Sequence, residues 1–189
     1  DFDILSETIE PDVSVSYRLL AFINSPSFSF RTKIRSIKQA VVLAGWESIR
    51  NWLRLMVLTD LPAPEKSVEL TKTAAQRARL FELLAHELDM AGRADTYFLL
   101  GLFSLLDAML DMPMEKILAH LHLEDDLAEA LKGGDNQYTP WLQLTQAMET
   151  SQWELMDACL DRVGLVPEQV DRSFHEAIAW TNSYFSTIS

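Results

Sequence analysis

The sequence predicts an all-α fold of about ten short to medium helices, and three observations carry that expectation. Apolar residues recur at three- and four-residue spacing along nearly the whole chain. No run of alternating β-branched residues bounded by turn pairs occurs, and no Asn-Gly or Asp-Gly pair marks a hairpin. Between the periodic stretches stand helix start and stop signals, prolines in first turns and glycines after last ones.

The elements follow in order. "PDVSVSYRLLAFINS" places Pro11 in a first turn and aligns Val15, Leu19, Phe22 and Ile23 in one stripe. "SFSFRTKIR" is a connector. "SIKQAVVLAG" has Ser36 as N-cap, Gln39 three residues on and Gly45 as the stop. "WESIRNWLRLMVLTDL" sets Trp46, Ile49, Trp52 (or Leu53) and Met56 at helical spacing. The prolines of "LPAPEKS" break the pattern, so a seam is expected near residues 61 to 66, between an N-terminal lobe 1–62 and a C-terminal lobe 63–189. One helix is expected over about 67–90 and a central one over Thr96 to Met109. "DMPMEKILAHL" offers Asp111 as cap and Pro113 in the first turn. "EDDLAEALKGG" clusters acids where the helix dipole favours them and ends in Gly133-Gly134. "TPWLQLTQAMET", "SQWELMDACLDRV" and "VPEQVDRSFHEAIAWTNSYF" complete the set.

Composition narrows the function classes. A chain of 189 residues buries roughly 70% of its unfolded surface, enough for one large domain or two packed lobes. Its longest nearly uncharged apolar run, Tyr97 to Leu106, is about half of what a membrane-spanning helix needs. The first residues show no charged leader with an apolar centre, so the chain is read as cytoplasmic, with no membrane partner. The lone Cys159 excludes an intramolecular disulfide and a multi-cysteine zinc site, and is expected as a packed thiol. Net charge is −12, unevenly spread: residues 1–80 hold 11 Lys/Arg against 9 Asp/Glu, residues 81–189 hold 5 against 19. That imbalance argues against an overall nucleic-acid coat.

Catalytic signals are weak. His120 and His122 would point about 200° apart on a helix and could not share one ion. His86 with Glu82 or Asp89 reads as a surface ion-pair face, and His175 as an ordinary helix residue. No histidine has another at i+3 or i+4, and no G-x-S-x-G, P-loop or G-x-G-x-x-G occurs. No cofactor is expected. Residues 18–54 carry seven cations (Arg18, Arg31, Lys33, Arg35, Lys38, Arg50 and Arg54) against one acid, Glu47. Their ordinary role is a solvated face; contact with a protein partner or an anion, centred on Arg31, Lys33, Arg35 and Lys38, is the functional alternative. Asp107 is the odd residue. It sits in the apolar "GLFSLLDAML" with Ser104 one turn earlier, where an unpaired carboxylate is costly.

The stretch "LLAFINSPSFSFRTKIRSIKQAVVLAGWESIRNWLRLMVL" resembles the HDOD domain, an HD-related output domain of bacteria. The likeness rests on Asn24, Ser25 and Pro26, on the run through Ile34, Ser36, Ile37 and Ala40, and on Leu43-x-Gly45 leading into the helix of Trp52. Downstream, "QRARLFELLA" and "YFLLGLFSLLDAML" look like the HDOD region of proteins that join it to an EAL cyclic di-GMP phosphodiesterase domain. The resemblance implies a multi-helical HD-like bundle in two packed lobes, and a chain that is part of a longer protein. It also implies that the His-Asp dyad of catalytic HD phosphohydrolases falls at about Ser104 and Leu105 here, and their upstream histidine near Arg77 or Arg79. A guanidinium there would take the place of a cation electrostatically, and Asp107 would be paired with Arg77 or Arg79 or bonded to backbone. The expected function is a non-catalytic signalling module acting on a protein partner or an in-cis EAL domain, with self-association open. The alternatives are a residual metal-dependent phosphohydrolase using Asp107, and a nucleotide or nucleic-acid binder using Arg31, Lys33 and Arg35.

Overall fold

A computed structural model describes residues 18–20, 22–24, 37–59, 67–119 and 123–188. The described residues form helices joined by short turns and include no strand. We number the helices α1 (Ile37–Thr59), α2 (Ser67–Glu87), α3 (Ala94–Phe103), α4 (Leu106–Leu110), α5 (Met114–Leu118), α6 (Asp125–Leu131), α7 (Thr139–Glu149), α8 (Trp153–Val163) and α9 (Pro167–Ile188), with a 3₁₀ turn at Ala91–Arg93. None of these helices is long and apolar enough to cross a membrane. The chain divides into two compact units: Asp1–Leu61 with Ala179–Ser189, and Pro62–Ile178.

In the first unit, Leu19, Phe22 and Ile23 are fully buried, as their shared stripe predicts. Phe22 meets the rings of Trp180 (5.6 Å, near-perpendicular) and Tyr184 (5.8 Å), both from the end of α9. Such edge-to-face pairs add about 0.5–1.5 kcal/mol each beyond area burial. Gly45 breaks α1 with φ 82 and ψ 156, a region closed to side chains, so the two expected helices meet at a kink. Past the kink Ile49 and Trp52 are buried, while Trp46 stays 37% exposed. The expected cap at Ser36 lies outside the described residues.

The second unit is built on α2 and α3, packed along one another. Gly101 makes their approach close: a Cβ there would stand 2.4 Å from the backbone nitrogen of Ala78. An aromatic cluster joins them to α7, with Trp141 against Phe81 (5.7 Å) and Tyr97 (4.3 Å), and Tyr97 edge-on to Tyr138. Cys159 is buried, and burial pushes its thiol pKa up, against the pull of Arg162.

Three local expectations are corrected. The central helix ends at Phe103 and restarts at Leu106. Ser104 bonds back to Gly101 through both its amide and its hydroxyl (2.7 Å), and Leu105 takes φ −126, ψ 15; this back-bonding competes with the helical ladder. Asp111 does not cap α5. It is the left-handed residue that closes α4 (φ 51), and Pro113 precedes α5 with no side-chain cap bond. Helix α2 stops at Glu87 because Asp89 turns left-handed, with Met90 N–H on Ala85 O and Asp89 N–H on His86 O. The glycine stop at Gly133 forms as the sequence predicts, and Gly164 closes α8 in the same left-handed way.

Candidate functional site

Arg77 and Arg79 lie two residues apart on α2, about 200° around the helix, and so serve different faces. The Arg77 guanidinium clamps Glu149 at the end of α7, Nε to Oε1 at 2.8 Å and Nη2 to Oε2 at 2.5 Å. Its third nitrogen, Nη1, donates to Ser104 Oγ at 3.1 Å, and that hydroxyl donates onward to Gly101 O. A carboxylate at a helix C-terminus opposes the dipole, so the forked ion pair offsets a local penalty as well as joining α2 to α7. Two residues that the sequence singled out, Arg77 and Ser104, therefore meet directly, alongside a partner it did not single out, Glu149.

The other two do not join them. Arg79 donates to Glu82 (2.7 Å) and Glu176 (2.8 Å). Glu82 is itself buried, not the surface residue its spacing to His86 suggested. Asp107 is exposed, and neither arginine reaches it; among the described residues only its backbone carbonyl is engaged, accepting from Asp111 and Met112. The expected pairing is overturned because the break at Ser104–Leu105 turns Asp107 off the face that α3 buries. Water already solvates it, so the costly buried carboxylate does not arise.

Of the signature residues, Asn24 donates its side-chain amide to Leu20 O at 2.8 Å, closing a helical turn, Trp52 is core and Gly45 is the kink. Ser25, Pro26, Ser36, Arg31, Lys33 and Arg35 lie outside the described residues, as do His120 and His122; Lys38 falls within α1. Arg54 bonds Asn51 Oδ1 at 2.9 Å.

Arg77 and Glu149 also stand on the wall of a groove of about 560 Å³ within the second unit. Helix α2 contributes Thr73, Gln76, Arg77 and Leu80, and α7 adds Thr145, Met148 and Glu149. Trp153 and Met156 of α8 face Pro167, Val170, Asp171 and Phe174 of α9. The lining is mostly apolar, yet Trp153 is 65% exposed. Sequence reasoning missed this groove, although the exposed-face spacing of Trp153 and Met156 could have flagged it.

The donor set at Arg77 does not fit a divalent cation. A guanidinium carries only donors, the Ser104 hydroxyl is spent on Arg77 and Gly101, and Glu149 is neutralised by the clamp. Among the described residues, no three His, Cys, Asp or Glu ligand atoms gather there. Elsewhere the unit holds one strongly shifted phenol: burial pushes Tyr138 up to about 12, although Arg93 bonds its hydroxyl and pulls the other way.

Comparison with known proteins agrees with the helical architecture. The family model of the HDOD domain matches residues 1–120. Protein YuxH of Bacillus subtilis (strain 168) is 35% identical over 182 residues, 95% of this chain and 44% of that protein. A Vibrio cholerae protein named cyclic di-GMP phosphodiesterase CdgJ is 29% identical over 181 residues, 96% of this chain and 42% of its own length. The chain thus spans less than half the length of these relatives. No solved structure matches it. With the family model covering most of the chain, and a relative matched nearly end to end of this sequence, the chain belongs to the HDOD domain family.

Proposed function

We propose that this chain is a non-catalytic regulatory module of a cytoplasmic cyclic di-GMP signalling protein, acting by protein contact on an EAL phosphodiesterase domain in the same polypeptide. The observation that carries the reading is the Arg77 clamp: a cation fixed to Ser104 and Glu149 where the family resemblance locates the metal ligands of HD hydrolases. A fixed positive charge repels a divalent ion and satisfies the carboxylate that would otherwise hold one. The relation to a protein named for cyclic di-GMP hydrolysis, and the shorter span of this chain, support a role inside such a protein.

Deleting residues 1–189 from the full-length protein tests this. The expected result is an altered phosphodiesterase rate, because docking energy that differs between two states shifts their populations. A rate unchanged at every substrate concentration contradicts the proposal.

A further inference from the structure

The groove beside Arg77 is an open trough rather than a bowl. Along α2 its wall residues fall at i, i+3, i+4 and i+7 (Thr73 to Leu80), and along α9 the same spacing repeats from Pro167 to Phe174. At about 1.5 Å per residue each wall runs roughly 10 Å, two turns of helix. The floor between them is apolar. Three polar groups on the walls are engaged inside the chain: Arg77 with Glu149, Thr73 Oγ1 with Glu69 O, Thr145 Oγ1 with Leu142 O. That leaves Gln76 as the neutral polar side chain on a wall otherwise apolar or charged, so recognition there rests mainly on apolar shape and on charge at the rim.

That charge is negative. Asp171 is 76% exposed. On α8, Glu154 and Asp157 stand exposed beside Trp153 and Met156. The single cation on the wall, Arg77, is 12% exposed and already paired. We infer that this trough docks a two-turn amphipathic helix of a separate protein, whose apolar residues at i, i+3 or i+4, and i+7 fill it and whose flanking Lys or Arg residues face the acidic rim at Asp171. The inference rests on the reading of the chain as a regulatory module and adds to its in-cis contact a second one, made with another protein.

The probe is a fluorescein-labelled synthetic helix of about 15 residues, long enough to form helix in solution. It carries leucines on one stripe and lysines on its flanks; a twin has glutamate for every lysine. Anisotropy titrations against the 189-residue chain are expected to show the lysine peptide binding at least about tenfold more tightly than its twin, with affinity falling as salt rises. Met156→Lys should abolish binding without loss of helicity by circular dichroism. The exposed Asp171→Lys, which leaves the apolar floor intact, should weaken the lysine peptide and strengthen its twin. Equal affinity for both peptides overturns the inference, as does binding that ignores both substitutions. A concentration-dependent dimer that Met156→Lys dissociates also overturns it, because the occupant is then a second copy. Failure here with an altered rate in the deletion test removes the groove and leaves the regulatory reading standing; an unchanged rate removes the latter.

Discussion

Arg79 shows how a side chain's worth depends on what it leaves behind. Glu82 is 1% exposed, and Arg79 holds it across one turn of α2 while reaching Glu176 on α9. A buried ion pair adds little over a well-packed apolar pair, but removing one partner takes a charge-assisted hydrogen bond away from a carboxylate in low dielectric. Arg79→Met should therefore cost about 1–3 kcal/mol in a urea melt. Tyr138 makes a matching statement about pH. Its pKa is raised by burial from about 10 to about 12 in the folded chain. Below 10 the phenol is protonated in both states; between 10 and 12 the unfolded chain ionises first, so stability is lost as pH rises through that window. Tyr138→Phe should flatten the loss across this range in melts followed by circular dichroism; a loss as steep as that of the parent chain would place the titrating group elsewhere. At this scale the sequence was legible where a resemblance supplied the spatial logic, as for Arg77 and Ser104. Asp107 was misread because a buried surrounding was inferred from its neighbours' apolarity, and a two-residue turn moved it to the surface.

Helices show the reverse balance. Periodicity and the stops at Gly45 and Gly133 placed the long elements well, because apolar spacing and left-handed glycine backbone are written locally. What stayed illegible were ends made by residues other than glycine. Asp89, Asp111 and Ser151 adopt positive φ, which costs a side-chain-bearing residue about 1–2 kcal/mol and is a far weaker sequence signal than glycine. The break in the central helix is equally faint in sequence, since it turns on Ser104, whose hydroxyl bonds Gly101 O while accepting from Arg77. Gly101 is the contact that lets α3 reach the backbone of α2. Gly101→Ala should separate the two helices and destabilise the chain by about 1–3 kcal/mol. The same substitution at Gly92, where a Cβ would meet nothing within 4 Å, is the control and should leave the melt close to that of the parent chain.

At the scale of the whole molecule, the acidic second half of the sequence and the arginine clamp point to one account. The scaffold of the HDOD family is kept, and on it the Arg77 guanidinium is locked between a hydroxyl and a carboxylate. The groove formed beside it joins α2 to the later run α7–α9, a long-range packing that the spacing of Trp153 and Met156 hints at but does not locate. Its exposed Trp153 and acidic rim suit contact with another polypeptide better than chemistry on a small substrate. The most direct test is the metal content of the purified chain after incubation with manganese, measured with its rate of phosphoester hydrolysis in the same buffer. The account predicts no stoichiometric metal and no hydrolysis above buffer. One equivalent of bound manganese, accompanied by metal-dependent hydrolysis, would contradict it.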